Sequence, residues 1–188
     1  MTIFWRHGYE GASLSDLTKA MGINPPSLYA CFGSKEGLFR AVMDRYEARR
    51  DSFMKDILAH PTAQGVAEAY LYGVAGFCAD TGGHNPPGCF MMKGSMSCCE
   101  QDITDHMARL RAEKEAMLKK RFDQAKKAGD LPRSANPATL ARYLATMASG
   151  ISMQASSGAS AKELREVAAL ALANWPGATA EKPAHEPA

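Results

Sequence analysis

Residues 8–39 read GYEGASLSDLTKAMGINPPSLYACFGSKEGLF, and this run decides how the rest of the chain is understood. Gly8 permits a tight turn with positive φ after a short leading helix. Ser13 stands directly before Leu14, with Asp16 three residues on, a capping pattern that starts a helix. That helix is brief, Leu14 to Met21, and Gly22 supplies the turn after it. Asn24 then caps a third helix, whose first position is pre-set by Pro25. The third helix passes through Ser27, Leu28, Tyr29 and Phe32. Gly33 ends it, and Ser34 caps a long fourth helix.

Two short helices joined by a tight, glycine-containing turn predict a helix-turn-helix. Leu14, Leu17, Met21, Ile23, Leu28 and Phe32 supply its apolar interior. The outward side of the third helix carries Pro25, Pro26, Ser27 and Ala30, small groups that let a helix sit deep in a major groove. Ser27 can hydrogen-bond to base edges, and small apolar groups suit thymine methyls. Phosphate contacts follow from geometry. Ser13 opens a helix N-terminus, where free N–H groups bind anions. Tyr29 offers a hydroxyl. Lys35 places a cation at a helix start, where it opposes the macrodipole unless an anion is near.

The remainder reads as amphipathic helices with few strand signals. One apolar stripe is Leu38, Phe39, Val42, Met43, Tyr46, Phe53 and Ile57, closed by Pro61. A second is Met107, Leu110, Met117, Leu118, Phe122 and Ala125, stopped by Gly129 and Pro132, with Lys126 and Lys127 suiting the last-turn dipole. Asn136-Pro137 opens a third, with Leu140, Tyr143, Leu144, Met147 and Ile151 inward and a break at Gly158. Ser160 and Glu163 form a capping box for a last helix running to Trp175. Asp80 to Pro87 is a Gly/Asn/Pro loop, and Gly88 to Cys99 an interrupted apolar stretch read as a short helix. The expectation is an all-α chain of about nine helices. An N-terminal three-helix helix-turn-helix domain (1–46) precedes a C-terminal helical ligand-binding and dimerisation domain (47–176) and a disordered tail (177–188) rich in Ala, Pro and Glu.

The run Gly8 to Leu17, then Met21-Gly22-Ile23, Ser27-Leu28-Tyr29 and Phe32 to Phe39, resembles the N-terminal domain of TetR/AcrR-type repressors. The resemblance beyond it is in helical layout and size. It implies a homodimer on a near-palindromic double-stranded DNA operator, released when a small-molecule effector binds. It puts Ser13, Tyr29 and Lys35 on phosphates, and Asn24, Pro25, Pro26, Ser27 and Ala30 on the DNA-facing part of the recognition helix. It also implies a dimer interface on the last two helices, with Tyr143, Met147, Leu164, Leu172 and Trp175 as candidates. One departure is the first helix: only Thr2 to His7 precede Gly8, where the family carries a longer helix.

Composition sets outer bounds. The 188 residues are 46% hydrophobic, enough for a buried core, and the formal net charge is only +2, so any DNA contact must come from local placement. The N-terminus shows no basic region followed by an apolar core, and no run reaches the roughly 18 apolar residues of a membrane helix. A cytoplasmic protein with reduced thiols and no membrane partner is expected.

Two features remain. The first is the concentration of Cys78, Cys89, Met91, Met92, Met96, Cys98 and Cys99, near His84. Soft metals bind such groups, so a cysteine-based metal or redox sensor is an alternative, and a thiol enzyme with His84 or His106 as base a further one. The spacing argues against the sensor, because no Cys-x-x-Cys occurs and adjacent cysteines point to different helix faces, and nothing fixes either histidine near a thiol as the enzyme would need. Cys and Met also serve as adaptable lining for an apolar pocket. No metal, cofactor or catalytic residue is assigned. A non-DNA-binding dimeric module is a third alternative. The second feature is the effector pocket, expected between the middle helices. Its candidate walls are Tyr70, Val74, Phe77, Met92 and Met96, with Met117, Phe122, Met147 and Met153 from later helices. No charged residue stands out as an anchor, which favours an apolar or weakly polar effector. The charges in Arg109–Arg121 read as the solvated face of an amphipathic helix.

Overall fold

The computed structural model describes residues 1–79, 86–92 and 101–176. Among them lie no strand and eight helices described from end to end: α1 (Thr2–Gly11), α2 (Leu14–Met21), α3 (Pro25–Phe32), α4 (Lys35–Leu58), α5 (Ala63–Ala79), α6 (Gln101–Lys127), α7 (Pro137–Ser156) and α8 (Ala161–Ala173); residues 90–92 are helical too. The tail from residue 177 onward and most of the loop and short helix expected between residues 80 and 99 lie outside the described residues.

The start signals act as the local chemistry dictates. The Ser13 hydroxyl accepts from Asp16 N–H at 3.0 Å, Asn24 Oδ1 from Ser27 N–H at 2.9 Å, and Ser34 Oγ from Gly37 N–H at 3.0 Å. Asn136 caps α7, with Pro137 in its first turn, and Ser160 and Glu163 close a reciprocal capping box on α8. Gly22, at φ 67°, ends α2 in the left-handed region that a side chain would disfavour. Gly8, at φ 71°, breaks α1 into a first stretch and a final turn, which lets Phe4 and Tyr9 both reach the core.

α1, α2, α3 and the start of α4 form a head around buried Ala12, Leu17, Leu28 and Phe39. Met21, expected in this interior, is 40% exposed instead, because it occupies the last turn of α2 where Gly22 turns the chain away. The body is built on α5, which packs against α7 and α8, while α6 packs on α7. Buried Ala67, Ala75, Ala141, Ala148 and Ala168 let these helices approach closely. The expected boundary at residue 46 falls inside α4, so head and body share one continuous helix. They also share aromatic packing. Trp5 of α1 sits edge-on to Tyr46 with ring centroids 5.5 Å apart, and Phe90 lies 5.8 Å from Trp5, 5.6 Å from Phe39 and 5.4 Å from Tyr46.

Gly88 brings the Phe90 segment onto α7: its φ of 92° lies in the region side chains disfavour, and a Cβ there would stand 3.0 Å from the Ser152 carbonyl oxygen. Gly88 N–H donates to the Cys78 carbonyl at 2.9 Å, tying the segment to α5 as well.

The last two helices correct part of the sequence reading. Trp175, Leu164 and Leu172 are buried within the single chain, and Trp175 packs on Phe122 at 5.3 Å. They close the body's own core and offer no surface to a second copy. Tyr143 is half-buried and donates from its hydroxyl to the Ala171 carbonyl at 2.9 Å, joining α7 to α8. The apolar groups that α7 and α8 leave outward are Met153, Val167 and Leu170, the last 69% exposed. Periodicity identified the helices but not which of two apolar sides meets its own chain.

Candidate nucleic-acid interface and internal cavity

The head presents α3 outward. Leu28 is its one buried residue, and Pro25, Pro26, Ser27, Tyr29 and Ala30 are all exposed. Tyr29 is 45% exposed, so it is not a core tyrosine. Asn24 is exposed too, but its side-chain oxygen is already occupied by the cap on α3. Ser13 likewise uses its hydroxyl twice, accepting from Asp16 N–H and donating to Asp16 Oδ2 at 2.6 Å.

Lys35 has partners inside the protein that its sequence position did not reveal. Its ammonium lies 4.7 Å from the Tyr9 ring centroid and donates to the Glu10 carbonyl at 3.4 Å. Both contacts hold a cation beside the last turn of α1. Gly37 is a head residue whose part the sequence did not disclose. A Cβ there would stand 2.0 Å from the Phe32 carbonyl oxygen, so the angle between the recognition helix and α4 requires glycine.

A cavity of about 510 Å³ opens in the body between α4, α5, α6 and α7, bordered by Cys89, Met91 and Met92. Of the residues expected to line it, Tyr70, Val74, Phe77 and Met92 stand in its wall. Phe122 does not: it is fully buried against Trp175 in the core. Met117 and Met153 are each 38% exposed on the outer surface, and Met147 packs on the core outside the cavity wall. Met96 lies outside the described residues.

The cavity is also charged, which the sequence reading did not anticipate. Arg50 of α4, Arg111, Lys114 and Glu115 of α6, and Arg142 of α7 all line it. Arg50 Nη1 meets Glu47 Oε1 at 3.1 Å. Lys114, only 7% exposed, lies 3.4 Å from Glu47 Oε2 and also contacts Asp51. Arg142 donates to Glu115 at 2.7 Å. The expectation that Arg109–Arg121 is a solvated face therefore needs correction. Arg111, Lys114 and Glu115 turn into the cavity, and Arg121 donates to the carbonyls of Leu58, His60 and Pro61, fixing α6 to the end of α4. A helix of this length crosses several environments, and the charges that meet α4 are buried by it.

Two thiols border the same cavity. Tyr46 donates from its hydroxyl to Cys89 Sγ at 3.3 Å. Burial pushes the Cys78 thiol up to about 11, and the neighbouring Cys89 adds to the effect, so Cys78 is a neutral thiol near pH 7. Among the described residues no three His, Cys, Asp or Glu side chains converge as a metal site. His84, Cys98 and Cys99, on which the sensor and enzyme alternatives also rested, lie outside those residues. No described helix is long and apolar enough to cross a membrane.

Comparison with known proteins identifies the family. Residues 1–42 match the sequence profile of bacterial regulatory proteins of the tetR family. The transcriptional repressor ComR of Escherichia coli (strain K12) is 35% identical over 179 residues, spanning 94% of this chain and 85% of that protein. The chain belongs to the TetR family. BdcR of the same organism, another transcriptional repressor, is 31% identical over 190 residues, covering 90% of this chain and 81% of that protein. A cysteine-substituted CifR, a TetR-family regulator solved with 26-base-pair operator DNA, superposes with a TM-score of 0.87. It is 33% identical, with 93% of this chain and 92% of that one covered. Membership makes the head the DNA-binding helix-turn-helix domain of a transcriptional regulator, and the helical body its C-terminal domain.

Proposed function

We propose that this TetR-family protein is a homodimeric, ligand-responsive transcriptional repressor acting on DNA in the cytoplasm. The observation that carries the reading is α4, whose first turn positions the recognition helix and whose middle, from Tyr46 to Met54, walls the cavity. A ligand in the cavity therefore touches the same rigid element that aims α3. Two recognition helices enter successive major grooves when they lie about 34–36 Å apart. A ligand that binds better to a state with a different spacing shifts the population away from the operator-bound one. To reverse a hundredfold preference completely, it must discriminate between the states by about 5.5 kcal/mol.

In this reading Pro25, Pro26, Ser27 and Ala30 meet base edges. Tyr29 and Lys35 meet phosphates, together with the start of α2 behind Ser13. A second copy covers Val167, Leu170 and Met153 on α7 and α8. The mechanism requires no catalytic residue, metal or cofactor.

The test is a selection of bound sites from random double-stranded DNA, followed by affinity measurements at several salt concentrations. The expected outcome is a site with two-fold symmetry. The pair Tyr29→Phe with Lys35→Ala weakens binding to every sequence and lowers the salt dependence by about one unit of slope per protomer, about two for the dimer. Ser27→Ala instead relaxes preference at one base position, by about 1–3 kcal/mol. A full-length protein without any sequence preference would overturn the reading.

A further inference from the structure

The charges around the cavity do not cancel, and the surplus identifies what fills it. Four cationic side chains stand in its wall: Arg50, Arg111, Lys114 and Arg142. Three of them are matched. Arg50 is paired with Glu47, Lys114 with Glu47 and Asp51, and Arg142 with Glu115. Arg111 forms no ion pair with the described residues, and its Nη1 is buried without a hydrogen-bond partner. Glu47 Oε2 also lacks a hydrogen bond, but it lies 3.4 Å from the Lys114 ammonium and so is a paired acid, not a second vacancy.

An arginine cannot relieve this by losing its proton, because the guanidinium stays charged at any ordinary pH. A buried guanidinium nitrogen left without an acceptor is costly. Its planar fork matches a carboxylate, sulfonate or phosphate group in geometry as well as charge. The rest of the wall tells what the anion is attached to. Phe53, Tyr70, Val74, Phe77 and Met92 form an apolar, largely aromatic surface. The hydroxyls of Thr146 and Ser149, which also line the cavity, already donate to the Arg142 and Ala145 carbonyls at 2.8 Å each, so they do not demand a hydroxyl-rich ligand. A volume of about 510 Å³ accommodates a body of drug-like size.

We propose that the cavity takes an organic anion with an apolar, ring-bearing body, its charged group received by Arg111. This rests on reading the cavity as the effector site and names the chemical class of the effector. It also replaces the expectation of an apolar or weakly polar effector. The anion lies among Arg50, Lys114 and Arg142, all of them cationic, and the acids Glu47, Glu115 and Asp51 are held back by their own partners.

The test uses two fluorescent probes of nearly the same shape on the full-length protein. One is 8-anilinonaphthalene-1-sulfonate; the other is N-phenyl-1-naphthylamine, which lacks the sulfonate. The expected result is that the anionic probe binds at least tenfold more tightly than the neutral one. Arg111→Met, which keeps the length of the stem, removes that preference and leaves affinity for the neutral probe unchanged. Arg111→Lys restores part of it. Ala112→Trp, at the exposed rim of the cavity, weakens both probes and so shows where they sit. Neutral-probe binding that Ala112→Trp blocks, with no preference for the anion in the wild type, overturns the anion assignment and leaves the effector cavity standing. Loss of neither probe on Ala112→Trp, or no binding of either to the wild type, overturns the effector cavity and the anion assignment with it. If Arg111→Met fails to fold by thermal melting, the wild-type ratio between the two probes decides alone.

Discussion

The head keeps its working side chains outside, on short helices adjacent in sequence, and the body keeps its own inside, collected from four helices spread between residues 46 and 152. In the head, Leu28 is the one buried residue of α3, Phe32 is half-buried against the core, and the rest of the helix is exposed. In the body, several residues that face the cavity also belong to the core, as Met54, Tyr70 and Met91 do, or pair with another charge, as Arg50, Lys114 and Arg142 do. Substitutions in α3 should therefore separate function from stability, while substitutions around the cavity should tend to move both.

The largest expected effect lies in the core of the body. Phe122→Ala should lower the unfolding free energy by about 3–5 kcal/mol, because it empties a fully buried position against Trp175. Denaturant unfolding measures it. A stable variant that had lost ligand binding instead would return Phe122 to the cavity wall. Next comes Lys114→Met, which leaves Glu47 with Arg50 alone in a buried site. A loss of about 2–3 kcal/mol is expected, below that of a fully enclosed pair because Asp51 is mostly exposed. An unchanged melting temperature would mean that the pairing between α4 and α6 adds nothing to the body.

Gly22→Ala sharpens the comparison from the other side. It forces a side chain into the left-handed region and should cost about 1–2 kcal/mol. Because the turn it strains sets the recognition helix, operator affinity should fall by more than the melting temperature suggests. The smallest effect is chemical. Cys31 is exposed in the head, whereas Cys78 is buried in the body with its thiol raised to about 11. Iodoacetamide near pH 8 should modify Cys31 and spare Cys78, as read by peptide mass. The folded state holds the Cys78 proton to higher pH than the unfolded chain does. Its contribution to stability is thus complete below about 9 and declines as the pH rises from 9 towards 11. Rapid labelling of Cys78 near neutral pH would contradict the burial and would revive the thiol-sensor alternative.

How much was legible differs between the two regions for the same reason. Ser13, Gly22, Asn24, Pro25, Gly33 and Ser34 act on backbone groups within a few residues of themselves, so their roles can be read from spacing. Gly37 escaped because its constraint comes from the Phe32 carbonyl, and that contact exists only once α3 and α4 are set at an angle. Tyr70, Val74 and Phe77 recur on one side of α5 and were recognisable as candidate wall. Arg50, Arg111 and Lys114 were not, because a charged residue on an amphipathic helix usually faces water and nothing local marks the exception.

The sequence by itself determined the helix-turn-helix, its caps and turn, the start of each later capped helix and the family. All of these depend on interactions within one or two turns of chain. Tertiary structure decided where the cavity lies, which charges enter it, and that Trp175 closes the core instead of meeting a second copy. It also decided that Lys35 rests on Tyr9 and that α4 joins both sites. Those outcomes depend on which helix faces which, and packing several amphipathic helices together selects among faces that periodicity alone leaves equivalent.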